Sequence, residues 1–492
     1  MGSYLGIDVG TTAVKVGLRT AVGTWIARSS LVPGAASAVA RGEIDPEAWW
    51  VALRDALTGL RDEMSLSDVV AIALIGNTPT LVLVDAAGEP VGSALLWSDT
   101  RAQREADELR RERSPAAWIA LYGGYLPVSA AYPSAKLRWL QRHRPQWLAR
   151  TAQILQPKDF LNWRLTGVMA GDRWTSKGLV RLRPEDGGLS PLEAVGLPSG
   201  LAPPCYRPID VIGQVTPRAS AATGLPAGAA VAAGWSDTLG AVLSLGLSDT
   251  DGFVLSGTSE SIGLLTRRGF PAASTVFCPP VWDSGYHILY GPTSAGLATV
   301  TWASEVLGLP LLDDAPAEIA DAAHHPIFVP FLFGQRSPGW DDQVRGAWLN
   351  LDLQTTRAAL GSAVLEGVVA TERDVLEAAE TVAGTRCRRI AVTGGGSHSA
   401  ALNRWRAAYL PAPVFTVASE PVWGAAQLAY WAQHPATFPA LGLGPPPMWT
   451  AVDPDPALQA RYATYRNAQQ AVLTYTAAQA GAGEEEGGRV HG

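Results

Sequence analysis

Cysteine is scarce: Cys205, Cys278 and Cys387 are the three in a chain of 492 residues, far apart and with no CxxC pair. That excludes a disulfide framework and a zinc site of the usual spacing, and the thiols read as buried residues in a reducing cytoplasm. Long Lys/Arg runs are missing as well. The 38 basic and 45 acidic residues leave a formal net charge of −7, and with nothing to track a phosphate backbone, nucleic acid is excluded as a partner. Uninterrupted apolar runs are equally absent. The longest uncharged stretch, Gly285 to Ser304, contains His287, Pro292 and several glycines and hydroxyls, whereas a membrane span wants about 20 predominantly apolar residues. It reads as strand and loop. The N-terminus, MGSYLGIDVG, starts a strand at once and lacks the basic-then-apolar order of a signal peptide.

What is present is the composition of a folded protein, 47% hydrophobic and 17% charged, with a length that predicts two large domains or three small ones. Two passages share one pattern. Tyr4 to Leu18 and Gly252 to Leu265 both read as apolar strand, Gly-Thr-Thr/Ser turn, apolar strand. Aligning Gly10 with Gly257 sets the copies about half the chain apart, which predicts a duplicated lobe. The division expected is 1–248 for the first lobe, 249–450 for the second, 451–479 for a C-terminal helical segment and 480–492 for a disordered tail, since Ala480 to Gly488 is polar and compositionally biased. Within each half, strand-like runs such as Val69–Ile75 and Thr80–Val84 mix with helix-like ones such as Pro46–Leu60 and Thr355–Ala383, so the class is α/β with helix-covered mixed sheets. Asp45 is the expected N-cap of the Pro46 helix.

Three segments could carry chemistry. The turn Asp8-Val9-Gly10-Thr11-Thr12 offers backbone N–H groups and two hydroxyls to a phosphate, with Asp8 placed to hold Mg²⁺ directly or through water. The second copy has Leu255 where Asp8 stands, so only the first lobe brings a metal carboxylate, and Gly257-Thr258-Ser259 supplies neutral donors. The GxxxxGK[ST] spacing of a P-loop is missing. Next, Arg389 to Ser397 is a buried strand ending in Gly394-Gly395-Gly396 ahead of a helix over Ala400–Leu410, an arrangement that lets backbone approach a nucleotide. Last, Asp237 opens an apolar helix, where it is either an ordinary cap or a carboxylate facing substrate.

Taken together and in order, these pieces resemble the FGGY family of carbohydrate kinases from Tyr4 to about Tyr430. The match adds Asp45-Pro-Glu-Ala-Trp-Trp50, Trp97-Ser-Asp-Thr-Arg101, Lys136 to Leu140, Lys158-Asp-Phe160, Leu165-Thr-Gly167, Pro330 to Pro338, Leu365-Glu-Gly367 and Gly424-Ala-Ala426. The resemblance implies two ribonuclease-H-like lobes of the actin/hexokinase superfamily with an interlobe cleft, and ATP and Mg²⁺ as cofactors. It implies Asp237 as catalytic base and Asp8 as the metal-linked aspartate. For ATP it implies Thr11, Thr12, Lys15, Gly257, Thr258, Ser259, Gly296, Gly395, Gly396 and Ser397. For the sugar it implies the segment of Asn77 and Thr78 with Trp97, Asp99 and Arg101. The partner is then a small sugar or polyol, with a homodimer compatible with the sequence. Xylulokinases, the nearest members in pattern, show Gly-Gln-Met-His where this chain has Gly76-Asn77-Thr78-Pro79, and Asp-Asn where it has Asp237-Thr238, so xylulose itself is in question. Two other classes compete. One is an actin-like regulator that binds nucleotide and sugar without catalysis, against which the pair Asp8 and Asp237 argues. The other is a metal-dependent hydrolase, for which no His/Asp ligand cluster is present.

Overall fold

The computed structural model describes the chain except residues 1, 21–23, 184–186, 269–274, 281–284, 313–324, 333, 342, 439–447, 454–457, 459–460 and 488–492. Its described residues form two units. One is built from Met1–Gly246, Pro279–Gly285 and Ser419–Pro446, the other from Leu247–Cys278, Tyr286–Ala418 and Pro447–Gly492.

The first unit is organised on strands β1 (Ser3–Val9), β2 (Ala13–Arg19), β3 (Trp25–Leu31), β4 (Val69–Gly76), β5 (Val211–Gln214) and β6 (Ala230–Ser236), in the spatial order 3-2-1-4-6-5. β1 to β3 form an antiparallel meander, β4 and β6 run parallel to β1, and β5 is an antiparallel edge. β1 and β4 are almost wholly buried and read as continuous apolar runs, as strands covered on both faces do. Helix α1 (Glu47–Arg61) covers one face with Ala48, Trp49, Ala52, Leu53, Ala56, Leu57 and Leu60 buried at i, i+4 and i+3, i+4 spacings. The helix begins at Glu47, one residue later than expected, with Pro46 at the cap position, and Asp45 Oδ1 accepts from Glu47 N at 3.0 Å. Helix α2 (Pro157–Thr166) and helix α3 (Asp237–Ser244), the latter continuous with β6, complete the part that matters here.

The second unit repeats the plan with β7 (Asp251–Ser256), β8 (Glu260–Thr266), β9 (His287–Thr293), β10 (Arg389–Thr393), β11 (Val414–Val417) and β12 (Trp449–Ala451) in the order 9-8-7-10-11-12. The pairing senses are the same, meander first, two parallel strands next, antiparallel edge last. The repeat seen in the two Gly-Thr-Thr/Ser turns is therefore a repeat of topology. Helices α4 (Leu297–Leu307), α5 (Arg357–Ala383) and α6 (Ala400–Tyr409) pack on this sheet or on one another. The uncharged stretch expected as strand and loop is thus β9 followed by the start of α4.

Helix α7 (Pro421–Gln433) belongs to the first unit, where it packs on α3, β1 and β4. Small residues make that possible. A Cβ on Gly6 would lie 2.2 Å from Val422 O, and one on Gly424 would lie 1.9 Å from Gly240 O. The final helix is α8 (Tyr462–Gly487), whose last residues, 480–487, fall in the segment expected as a disordered tail. Extending an existing helix needs no new nucleus, which offsets the poor propensity of Gly481 and Gly483. Residues 488–492 lie outside the described residues.

Candidate functional site

In the first unit the ends of three parallel strands bring the key residues side by side. Val9 and Ser236 both pair with Gly76, and Asn77 N donates to Val9 O at 3.0 Å. Asp8 on β1 and Asp237, the first residue of α3, therefore flank the end of β4, the edge where open α/β sheets place ligands. β6 reaches this position through a bulge between Ala232 and Trp235, where Gly234 has φ +76° and a Cβ would sit 1.8 Å from Leu74 O. Only glycine fits there.

The two carboxylates feel one another. Burial first, then the charge of Asp237, push Asp8 up to about 7, with Lys15 opposing and Glu420 adding to the rise. Lys15 stands opposite Asp8 in the β1–β2 ladder. Asp237 is also raised by burial, opposed by the hydrogen bond from Thr238 N (2.6 Å), the charge of Lys177 and the Thr238 hydroxyl. Lys177 is itself buried, has φ 49°, and sets its Nζ 3.6 Å from the centre of the Trp174 ring. Burial brings it down to about 7, against the pull of Asp237 and Asp172.

The Gly10-Thr11-Thr12 turn is held by two indoles. Trp49 Nε1 donates to Gly10 O at 3.1 Å and Trp97 Nε1 to Thr11 Oγ1 at 3.0 Å, while Gly10 N closes the hairpin on Ala13 O. Thr12 is exposed. Asn77 and Thr78, expected to meet the sugar, have protein partners: Asn77 Nδ2 donates to Val9 O, its Oδ1 accepts from Thr80, and Thr78 Oγ1 lies 2.7 Å from Thr175 O and 3.1 Å from Gln156 Oε1. Asp99 Oδ1 accepts from the backbone and Nε of Arg101, whose guanidinium also bonds Glu43 and Arg41 O. Asp99 Oδ2 is buried with no hydrogen-bond partner among the described residues.

Two lysines enter the sequence pattern only as parts of the family resemblance. Lys136 Nζ, buried, points at the carbonyls of Leu96 (2.6 Å), Leu95 (3.3 Å) and Pro79 (3.4 Å), so it fixes the backbone beside both Trp97 and Thr78. Lys158, wholly buried on α2, pairs with Asp159 (2.5 Å) and Asp172 (3.0 Å) and donates to Ala233 O, the residue before the Gly234 bulge. It therefore supports the strand that delivers Asp237. Burial, opposed by Lys158, pushes Asp159 up to about 6. For Lys136 the sequence signal is a lysine in line with the apolar Leu137 and Leu140 of its helix.

In the second unit Leu255 occupies the ladder position of Asp8, opposite Ser261 and beside Thr393. Gly257 O and Thr258 O accept from Leu297 N (2.9 Å) and Ala298 N (3.1 Å), so the first turn of α4 holds the Gly257-Thr258-Ser259 turn. Gly296 precedes that helix, and a Cβ on it would meet Thr258 O at 2.9 Å and Gly257 O at 3.0 Å. Thr258, Ser259 and Gly395 are exposed. Gly394 (φ +89°) and Gly396 are demanded by the fold itself, since a Cβ would lie 2.5 Å from Ser256 O and 2.1 Å from Ser256 Oγ respectively.

Two sheets of one topology, each with a Gly-Thr-Thr/Ser hairpin turn at its first strand, form the actin/hexokinase-like fold. Comparison with known proteins makes this specific. Residues 3–244 match the N-terminal domain, and residues 252–433 the C-terminal domain, of the FGGY family of carbohydrate kinases. The chain belongs to that family, and is a sugar kinase. It is 30% identical over 410 residues to a xylulose kinase of Escherichia coli (strain K12), covering 80% of this chain and 82% of the relative. It is 29% identical over 482 residues to a xylulose kinase of Klebsiella pneumoniae, covering 94% and 97%. Among solved structures, a xyloylose kinase from Brucella ovis superposes with a TM-score of 0.84 at 28% identity, over 97% of this chain and all of the other. Among the described residues no helix is long and apolar enough to cross a membrane.

Proposed function

We propose that the chain transfers the γ-phosphoryl group of ATP to a hydroxyl of a ketose such as xylulose, or of a related polyol, with Asp237 as general base. The observation that carries this reading is the placement of Asp8, on β1, and Asp237, just after β6, on either side of the end of β4, close enough for the charge of Asp237 to raise Asp8. The attacking hydroxyl oxygen forms the new P–O bond, the bond from γ-phosphorus to the bridging oxygen breaks, ADP leaves, and the hydroxyl proton passes to the Asp237 carboxylate. Phosphoryl transfer asks mainly for in-line placement and neutralised oxygens. The Thr238 N–H and Lys177 keep Asp237 nearer its ionised form than burial alone would allow, which a base requires.

For phosphate contacts we assign Thr11, Thr12 and Lys15 in the first unit, and Gly257, Thr258 and Ser259 in the second, with Gly296, Gly395, Gly396 and Ser397 toward the nucleoside. Asp8 fits Mg²⁺ that arrives on phosphate. Among the described residues no group of three or more His, Cys, Asp or Glu could hold a metal, and Mg²⁺ commonly takes one or two carboxylates and completes its shell with phosphate and water. When bound, it would neutralise phosphate oxygens and remove the penalty on an ionised Asp8. The sugar contacts proposed are Trp97, Asp99, Arg101 and the segment of Asn77 and Thr78. A non-catalytic regulator would have no use for a carboxylate pair whose burial costs stability. An ADP-release assay on the purified chain, with pentuloses, hexuloses, polyols and aldonates, tests the reading: one or more sugars must stimulate ADP release, and silence across the panel with ATP bound would leave the regulator.

A further inference from the structure

Arg406, on α6, is wholly buried and touches no surface. All five of its N–H donors have acceptors. Nε faces both Glu372 oxygens at 2.9 and 3.1 Å. Nη1 reaches Gly396 O (3.0 Å) and Asn403 Oδ1 (3.1 Å), and Nη2 reaches Ser256 Oγ (2.6 Å), Glu372 Oε1 (2.7 Å) and Glu260 Oε1 (3.0 Å). Ser256 in turn donates to Glu260 at 2.6 Å.

These acceptors are the flanks of the nucleotide segments. Ser256 and Glu260 bracket the turn Gly257-Thr258-Ser259, Gly396 lies in the glycine turn, and Glu260 Cγ sits 3.0 Å from where a Cβ on Gly296 would be. Asn403 Nδ2 also holds Ser397 O at 2.7 Å. One guanidinium thus ties every proposed nucleotide segment of this unit to a single point on α5. The two carboxylates around it repel, and burial together with the charge of Glu372 drives Glu260 well above the usual range.

We infer that Arg406 is the positioning residue of the nucleotide half of the site, setting the phosphate turn and the glycine turn in register for ATP. This rests on the kinase reading above. An arginine that only filled the core would affect ATP and sugar alike.

The test uses the full chain and two variants. Arg406→Lys keeps a charge, but one ammonium cannot reach Glu372, Ser256 and Gly396 together. Ser256→Ala removes one acceptor and strands no charge. ATP and ADP binding is measured by calorimetry without sugar, and KM for ATP and for the best sugar of the panel by ADP release. Arg406→Lys should weaken nucleotide binding and raise KM for ATP by about tenfold or more, and Ser256→Ala by about threefold, with KM for the sugar held within about twofold in both. If Arg406→Lys does not fold, Ser256→Ala decides. Unchanged nucleotide affinity, or ATP and sugar KM rising together, overturns the inference while leaving the kinase reading intact. A wild-type protein that neither binds ATP nor releases ADP overturns both.

Discussion

Trp97 Nε1 donates to Thr11 Oγ1 at 3.0 Å across 86 residues of sequence, so the segment proposed for the sugar and the turn proposed for phosphate share a hydrogen bond. Trp97→Phe keeps the ring and removes the donor. One net hydrogen bond of about 0.5–1.5 kcal/mol predicts roughly a 2- to 12-fold loss in kcat/KM, visible with sugar and with ATP as the varied substrate. Steady-state kinetics with each substrate varied in turn measures it, and an effect confined to the sugar would separate the two segments.

Gly424 and Gly240 meet backbone to backbone, with 1.9 Å between a Cβ on the former and the carbonyl oxygen of the latter. Gly424→Ala must therefore displace α7 or α3, at a cost of about 1–3 kcal/mol. Because α3 begins at Asp237, turnover should fall along with stability. Thermal unfolding and ADP release on the same preparation check both, and an unaltered Tm would contradict the contact.

Much of this arrangement was legible in the chain. The Gly10 and Gly257 turns revealed the duplication because a strand-turn-strand pattern is local, and Asp8 against Leu255 showed which copy carries the carboxylate. Lys136, Lys158 and Arg406 were not legible as supports. Their acceptors are backbone carbonyls, a serine hydroxyl and buried carboxylates as much as 150 residues away, and local pattern carries no information about such pairings. The return of α7 to the first unit was hidden for the same reason, since Gly424-Ala-Ala426 looks like any small-residue helix until Gly6 and Gly240 are seen against it. The resemblance implies a sugar contact for Asn77 and Thr78, but only the folded loop shows that Val9, Thr80, Gln156 and Thr175 engage them.

His325 supplies a pH dependence of stability. It is buried, neither ring nitrogen is hydrogen-bonded among the described residues, and Glu366 Oε2 stands off at 3.9 Å. Burial, reinforced by Arg461, lowers it from 6.5 to about 4. Between those values the unfolded chain binds the proton and the folded one does not, so this group's contribution is intact above pH 6.5 and is lost as pH falls toward about 4. The Tm of wild type relative to His325→Gln should decline from pH 7 to 4. A difference independent of pH would contradict the assignment.

Substrate choice follows from the loop at Asn77. With the polar atoms of Asn77 and Thr78 engaged inside the protein, a xylulose hydroxyl that lost its partner would cost about 1–3 kcal/mol, or roughly 5- to 150-fold in discrimination. D-Xylulose should then be a poorer substrate than another ketose or polyol of the panel, and Thr78→Met with Pro79→His should shift preference toward it. The highest kcat/KM falling on D-xylulose in the native enzyme would reject this.

The most direct test of the account is Asp237→Asn. The substitution keeps size and shape and removes the carboxylate proposed to take the proton. Sugar-dependent ADP release should drop by at least about 10²-fold, while ATP affinity by calorimetry and the unfolding profile at neutral pH stay at or above wild type, since the buried carboxylate is gone. Near-normal turnover in Asp237→Asn would contradict the central claim.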